Sequence, residues 1–272
     1  MPRGPTAQVL VTRFAGAASR PERGPDRVIV EEPLEIRLNG HPVGTTMRTP
    51  GHDFELAAGF LLAEGVLGPT TVTTVRYCAG TPARAGDFNT VDVRTTTTTT
   101  GPPPPAPPAR LTTATSACGL CGSTTLAALA ARLRPVTTTV TAERPILAAL
   151  PARARARQDL FSATGSVHAA AAFDPTTGDL VVVREDIGRH NAVDKVAGAF
   201  VLARRPGLGA GLGLFVSGRA SFEMVQKAWA AGFGLVAAVS GPSSLAIEAA
   251  GTAGITLVGF LRGNAMNDYP PR

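Results

Sequence analysis

From Leu180 to Asn264 the chain alternates short apolar, β-branched runs with amphipathic helical stretches, and this alternation restricts its fold more than any other feature. The run LVVVRED leads into HNAVDKVAGAFVLA, LGLFVSG into SFEMVQKAWAA, GLVAAVSG into SSLAIEAAG, and ITLVGF into RGNAMNDY. Strands joined through helices need crossover connections, which lay the strands side by side with helices packed over them. The sequence therefore predicts an α/β main domain with a mixed, mainly parallel sheet. Ahead of the series, Ser166 to Phe173 (SVHAAAAF) and Leu180 to Arg184 flank DPTTGD, whose turn chemistry predicts a hairpin.

Each strand of the series ends in small, polar or basic residues: Arg184-Glu185-Asp186, Ser217-Gly218-Arg219, Ser240-Gly241-Pro242-Ser243 and Arg262-Gly263-Asn264. In a parallel sheet these ends share one edge, where open α/β sheets bind ligands and helix N-termini favour anions. Ser-Gly turns also cap helices without binding anything. Arg189, Arg219 and Arg262, one at each of three ends, are better matched to phosphate or carboxylate, which take the guanidinium fork in bidentate fashion. A nucleotide-sized anion is the ligand class this edge suits. Arg189, His190 and Asn191 are expected to face that crevice, and Ser221 is expected to cap the helix that follows it. His190 and Asp194 are four apart, as are Asn191 and Lys195, so each pair can share a helix face; Asp194 and Lys195 are candidates for a structural ion pair.

Upstream, Thr115 to Thr125 (TSACGLCGSTT) holds Cys118 and Cys121, two of the chain's three cysteines, each followed by glycine. A helix is predicted over Ser123 to Leu133, which sets both thiols just before a helix N-terminus, where the thiolate is stabilised and nucleophilic. On residues alone the pair admits three readings. A structural zinc site needs two further ligands, drawn from Cys78 and four histidines. A thioredoxin-like redox pair expects a buried strand directly before it, and a Pro-rich stretch stands there instead. The third reading is a sulfur carrier.

The N-terminal part reads differently. Residues 1–27 are rich in Pro, Gly, Ala and Arg without periodicity, and a disordered arm is expected. Residues 28–94 are expected to form a smaller β-rich subdomain: Val28 to Leu38 and His41 to Met47 around an Asn39-Gly40 turn, with a break or edge at Pro33, then strands at Val72 to Tyr77 and Phe88 to Arg94. Between them a helix is predicted to Ala63 with Asp53 as N-cap and His52 at its surface-exposed start. Cys78 is expected to be a small buried residue. Residues 95–113 (TTTTTTGPPPPAPPARLTT) read as a Thr/Pro-rich linker, and 114–272 as the main domain with the cysteine loop at its start. Pro145 to Phe161 is expected to be one helix limited or kinked at Pro151, its Arg153, Arg155 and Arg157 a solvated face.

No run of about eighteen apolar residues and no leader with a cleavage site stands out, so a cytoplasmic protein without membrane contact is expected. Net charge is +6, yet the basic residues are scattered and aromatics make up 5%, too few for base-stacking platforms. Nucleic acid is therefore not the expected partner. Lysine occurs only at Lys195 and Lys227 in an Arg-rich chain, which hints that each does something Arg would not.

Together, CGLCG (Cys118 to Gly122), TGSVHAAA (Thr164 to Ala171), REDIGRHNAVDKVAG (Arg184 to Gly198), SGRASFEMVQKA (Ser217 to Ala228) and FLRGNAMN (Phe260 to Asn267) resemble the formate dehydrogenase accessory sulfurtransferases, the FdhD family. EEPLEIRLNG and MRTPGHDFELAAGFLLAEG extend the resemblance to residues 28–269. It implies a main domain like cytidine deaminase and a sulfur relay. A cysteine desulfurase would hand sulfur to the CxxC as a persulfide on Cys118, with Cys121 assisting. The sulfur would pass to the molybdenum of a bis-molybdopterin guanine dinucleotide, the cargo of a future formate dehydrogenase. Phe260, Leu261, Arg262, Gly263, Asn264 and Ala265 would bind that cofactor, with Arg189 to Asn191 and Ser217, Gly218, Arg219 and Ser221 shaping the guanine nucleotide pocket. Deaminase chemistry is not implied: His168-Ala169-Ala170 lacks the glutamate of an HxE motif, and the CxxC precedes the histidine. The competing reading is a cofactor-binding chaperone with structural, zinc-binding cysteines, and a homodimer is the default assembly. The chain departs from the family at Ala265-Met266, where a basic residue followed by an aromatic is usual, and in the Thr and Pro runs.

Overall fold

The computed structural model describes residues 4–16, 20–67, 71–78, 88–96, 126–205 and 207–270. Residues 118 and 121, and the linker from residue 97 onward, lie outside them. The chain opens with β1 (Thr6–Arg13) and β2 (Glu22–Ile29), which pair antiparallel as a two-stranded ribbon. The expected disordered arm is thus corrected. Gly24 and Pro25 break any apolar alternation in β2, but the uncharged, partly β-branched run from Thr6 to Thr12 suits a strand, and Arg13 Nη2 ties the two strands at Asp26 Oδ1 (3.0 Å).

The next unit is a four-stranded sheet of order β4-β3-β6-β5, built from β3 (Glu32–Leu38), β4 (His41–Arg48), β5 (Thr71–Tyr77) and β6 (Thr90–Thr96). Asn39 and Gly40 both take positive φ, 52° and 89°, as the two-residue turn of a hairpin requires. Pro33 interrupts nothing: it pairs with Met47 of β4, and pairing with β6 starts only at Glu35, so no bond on that side is lost. Leu34, Ile36, Val91 and Val93 meet Leu56, Ala57 and Leu61 of α1 (Asp53–Ala63) in a closed core. The N-cap of α1 is His52 in the left-handed region, with Asp53 the first helical residue. Asp53 is drawn inward instead of capping, because Arg48 grips both its oxygens (3.1 and 2.8 Å) and Tyr77 Oη donates to it. Cys78 is half-buried after β5, its N–H donating to Thr90 O.

Beyond the linker come α2 (Leu126–Arg132), α3 (Arg144–Arg155) and α4 (Asp159–Thr164). The single helix expected from Pro145 to Phe161 is two, and the break falls a turn after Pro151. The arginines there are exposed, as expected, yet each is also held. Arg153 donates to Thr177 O, Arg157 to Leu180 O, and the Arg155 guanidinium stacks on Phe161 at 3.7 Å, so they hold α3 and α4 against the following hairpin.

The main sheet has six strands in the order β12-β11-β10-β9-β7-β8. These are β7 (His168–Phe173), β8 (Leu180–Asp186), β9 (Gly213–Val216), β10 (Leu235–Ala238), β11 (Thr256–Arg262) and β12 (Ala265–Tyr269). The sheet is mixed, as expected, but less parallel in its pairing. Only β9–β10 and β10–β11 pair parallel, because β7 inserts antiparallel between β8 and β9, and β12 returns antiparallel along β11. Alternate residues split into two cores. Ala170, Ala172, Leu214, Val216, Val236 and Leu257 face the helices α5 (Arg189–Leu202), α6 (Phe222–Ala230) and α7 (Ser244–Ala253), whereas Ala171, Phe173, Phe215, Leu235 and Ala237 face α3. The main domain is three layers, helix over sheet over helix.

Helix α1 of the smaller sheet lies directly on α5 of the larger one. Two glycines permit it: a Cβ at Gly59 would stand 1.9 Å from Asp194 O, and one at Gly198 1.8 Å from Glu55 O. Backbone meets backbone there. Arg184 of β8 reinforces the contact by donating to Glu55 of α1 (Nη2 to Oε1, 2.7 Å), and His52 Nδ1 lies 3.3 Å from the same carboxylate. Burial works to raise Glu55, but the bonds from Arg184 and His52 outweigh it and hold the group down at about 2.

Two outcomes are expected. Gly59→Ala drives a methyl into a backbone carbonyl and should cost about 3 kcal/mol in urea unfolding, whereas the same change at exposed Gly4, where a Cβ would meet nothing within 4 Å, should cost far less. The depressed Glu55 stabilises the fold above its free value of 4.5, and that contribution disappears as pH falls from 4.5 toward 2. Glu55→Gln should flatten stability over that window and, after allowing for solvent around the pair, cost about 1–2 kcal/mol at neutral pH.

Candidate functional site at the strand ends

Asp186, the last residue of β8, is fully buried and organises the edge. Its Oδ1 accepts from Gly188 N (2.8 Å) and Asn191 Nδ2 (3.0 Å); its Oδ2 accepts from Thr49 N (3.1 Å) and lies 2.7 Å from Lys195 Nζ. Lys195 also donates to Thr49 O and Glu185 O, and Asn191 to Met47 O. The loop between β4 and α1 is thereby fastened to the start of α5. The expected Asp194–Lys195 pair does not form: neighbours along a helix point apart, so Lys195 turns to Asp186, and both oxygens of Asp194 meet Lys227 Nζ at 2.7 Å. The hint from the two lysines holds. Each is buried and uses the compact ammonium as a point charge with several donors, where a planar guanidinium needs a wider slot.

Above this clamp the helix N-termini of α5 and α6 stand side by side at the edge. Neither carries a side-chain cap, Gly188 having none to offer and Ser221 making no cap bond, whereas Ser243 caps α7 through Ala246 N. Ser221 is the N-cap by position only; among the described residues its Oγ is buried without a partner, as is Arg189 Nε. Arg189 and His168 converge over Gly218, where a Cβ would lie 3.6 Å from Arg189 Cδ and 3.6 Å from His168 Nδ1. Arg219 is exposed beside them. Burial, then the Arg189 cation, lowers His168; burial, then Arg219, lowers Arg189. Crowded cations, two uncapped helix ends and orphaned donors form a concentration of positive potential that an anion relieves.

His190 Nε2 lies 2.5 Å from Glu223 Oε2, off the axis of an aligned hydrogen bond. Burial, with the Lys227 and Arg189 charges, lowers His190 against the opposing pull of Glu223, and the His190 contact lowers Glu223. At neutral pH the imidazole is largely uncharged beside a carboxylate, able to take a proton in the acid range.

Next to this rim, on the α3 side of the sheet, opens a cavity of about 510 Å³. Arg155, Gln158 and Phe161 form one wall, Ile187, Phe215 and Val239 another, and His168 and Ser217 stand on its border with the cationic cluster. Ser217 Oγ also accepts from Ala169 N (2.9 Å), which locks β7 to β9 at the rim.

The expected site residues fall into four groups. Arg189, His190, Ser217, Gly218, Arg219 and Ser221 share the rim. Asn191 does not: its amide is committed to Asp186, Met47 O and Thr46, inside the clamp. The Phe260 to Ala265 segment forms the end of β11 and its turn into β12. There Leu261 is buried core and faces no ligand, whereas Arg262, Gly263, Asn264 and Ala265 are exposed. Phe260 takes a left-handed φ of 56°, costly for an aromatic, and presents a ring that is 39% exposed and set above Gly241, where a Cβ would be 2.6 Å from its Cζ. Cys118 and Cys121 lie outside the described residues. Sequence reasoning missed Asp186 as the hub and missed the Arg155, Gln158 and Phe161 wall. The RED end of β8 carried a signal for the first; the wall is assembled from a helix break that no local pattern announces.

These features define an α/β protein with a cationic rim at its strand ends, clamped by a second, smaller sheet. The chain belongs to the FdhD/NarQ family, whose model matches residues 29–271. It is 50% identical over 250 residues to the sulfur carrier protein FdhD of Streptomyces avermitilis, covering 90% of this chain and 87% of that protein. To the sulfur carrier protein FdhD of Mycobacterium tuberculosis it is 50% identical over 253 residues, covering 90% of both. A crystal structure from Desulfotalea psychrophila, described as a formate dehydrogenase accessory protein, superposes with a TM-score of 0.71 over 96% of each chain at 22% identity, which shows a shared fold.

The His190–Glu223 contact gives a test within the site. Followed by NMR, His190 should titrate below the usual 6.5, and Glu223→Gln, which removes the group raising it, should lower its midpoint further. A midpoint that rises instead contradicts the assigned causes.

Proposed function

We propose that this chain is a sulfur carrier and sulfurtransferase that works through a cysteine persulfide and serves formate dehydrogenase. The reading rests on family membership together with one structural observation: a cationic rim of Arg189 and Arg219, with His168 beside them, at two uncapped helix N-termini, in the same chain as a CGLCG pair. The substrate that suits such a rim is the bis-molybdopterin guanine dinucleotide cofactor, whose diphosphates supply the anions. Arg189 and Arg219 offer bidentate donors to them, and Arg262 and Phe260 border the same edge. One antiparallel strand, β7, set among four strands of common direction under helices on both faces, supports the cytidine-deaminase-like reading of the main domain.

In the proposed chemistry the Cys118 thiolate attacks the sulfane sulfur of a cysteine desulfurase persulfide. The donor's S–S bond breaks, its thiolate leaves, and the persulfide now stands on Cys118. Cys121 then attacks the Cys118 sulfur, forming a Cys118–Cys121 disulfide and releasing the terminal sulfur as hydrosulfide to the molybdenum; a small thiol reductant restores both cysteines. Both thiols must ionise, which the helix predicted from Ser123 would favour. Among the described residues no helix is long and apolar enough to cross a membrane, and the proposed site of action is the cytoplasm.

Incubation with a desulfurase and cysteine should add one sulfur atom to the intact mass. The gain should survive Cys121→Ala and vanish in Cys118→Ala. A near-stoichiometric zinc content, or no mass gain in the wild-type chain, contradicts the proposal and favours structural cysteines in a cofactor-binding chaperone. Arg262→Ala should weaken binding of GDP, a fragment of the cofactor, about tenfold by calorimetry, the loss of one charge-assisted contact; unchanged affinity removes Arg262 from the site.

A further inference from the structure

We propose that His168 is a conditional cation of the rim: its imidazole meets the diphosphate of a bound nucleotide and takes up one proton from solvent as it does so, so that binding and protonation are one event. The coupling rests on the rim being the nucleotide site. His168 opens β7, and its place is fixed by Ser217, whose N–H donates to Ala169 O and whose Oγ accepts from Ala169 N, both at 2.9 Å. The half-buried ring stands with Arg189 over Gly218, on the border of the cavity.

The groups around the ring leave it without a free counter-charge. Burial first holds the imidazole neutral, then Arg189 and His190 of α5 and Arg219 of the turn between β9 and α6. Asp186 of β8 stands directly opposite His168 across the strand pair and favours the charged form. Its two oxygens, however, already hold Gly188 N, Asn191 Nδ2, Thr49 N and Lys195 Nζ. Glu185 alternates to the other face of β8, where it accepts from Leu160 N and Phe161 N, and the nearest group on α3 is another cation, Arg155, which lines the same cavity. Glu223 of α6 lies against His190. Among the described residues the His168 ring therefore makes no hydrogen bond or ion pair of its own. His190 has a carboxylate within the fold, whereas the one His168 lacks must come from a ligand.

A histidine here does what a third arginine would not. Permanent charge would add to the repulsion that Arg219 already exerts on Arg189 in the empty rim. An imidazole stays neutral until an anion arrives, and negative charge within about 4–6 Å then favours its charged form. No bond of the nucleotide is made or broken; the one proton that moves comes from water or buffer. The sign of the linkage follows. While the rim is empty the ring titrates below the ordinary 6.5, and a bound diphosphate moves it upward. Between those two values each nucleotide bound brings a proton with it, so affinity falls as pH rises. Above the upper value the ring is neutral in both states and the coupling disappears.

Calorimetry of GDP binding to the full chain at pH 7.5, in two buffers of different ionisation enthalpy, counts the protons. The wild-type chain should take up about half a proton or more per GDP, and its affinity should weaken about tenfold from pH 7 to pH 9. His168→Gln should remove both effects, binding GDP as the wild type does at pH 9 and about tenfold more weakly at pH 7; a merely structural side chain would weaken binding at both. His190→Gln should keep the uptake. Followed by NMR in the wild-type chain, the His168 midpoint should rise when GDP is saturating, a readout that holds whether or not the variant folds. GDP binding without proton uptake, uptake that survives His168→Gln or is lost in His190→Gln, or a midpoint unmoved by GDP overturns the proposal while leaving the rim as the nucleotide site. A wild-type chain that does not bind GDP overturns both.

Discussion

Everything at the strand ends hangs on the carboxylate of Asp186. It sits at zero exposure with four donors around it, Thr49 N, Gly188 N, Asn191 Nδ2 and Lys195 Nζ, and so joins three elements with one buried charge. A buried carboxylate is tolerated only when paired and saturated in this way, and removing one partner from such a pair typically costs about 3–5 kcal/mol because the other is left stranded. The direction of the bonds matters as much as their number. Gly188 is turned so that α5 starts without a side-chain cap, leaving its first amides toward the rim, and Lys195 draws the backbone of Thr49 onto the main domain. The smaller sheet is thereby a clamp on the binding edge as well as a neighbour to it.

The glycine contacts of α1 with α5 extend the same logic from one residue to a whole seam. Backbone-to-backbone packing at Gly59 and Gly198 seats α1 on α5, and on α5 Asp194 pairs with Lys227 of α6 behind the rim, within the field of Glu223. The rim itself then holds the Arg189 and Arg219 guanidinium groups, with His168 beside Arg189 over Gly218, and among the described residues the buried Oγ of Ser221 and Nε of Arg189 have no partner. In a stable fold such unmet donors are expensive, and they concentrate where a ligand supplies the missing half.

How much of this could be read in advance depends on how local its cause is. The strands and helices from Leu180 onward were legible because each carries its own apolar period, and the polar strand ends followed from that period. The insertion of β7 between β8 and β9 was not, since pairing order between non-sequential strands leaves no mark on a short window of residues. Asn191 and Lys195 showed the same limit: their spacing on a helix was visible, but the partners that claimed them, Met47 and Thr49 across the seam and Asp186 behind them, come from tertiary contact. The ribbon was hidden by Gly24 and Pro25, residues that weaken strand propensity in β2. Arg153 and Arg157 are solvent-facing, as their sequence suggests, but their bonds to hairpin carbonyls more than twenty residues away left no mark in it.

The central claim is that the rim built on Asp186 is where the nucleotide diphosphate of the proposed cargo lodges. Backbone amide shifts recorded during a titration with GDP test it most directly. The account predicts saturable shifts at Arg189, His190, Ser217 to Ser221 and the Phe260 to Asn264 turn, with the opposite ends of the strands unmoved. Shifts confined to those opposite ends, or to the β5–β6 side of the smaller sheet, would contradict it.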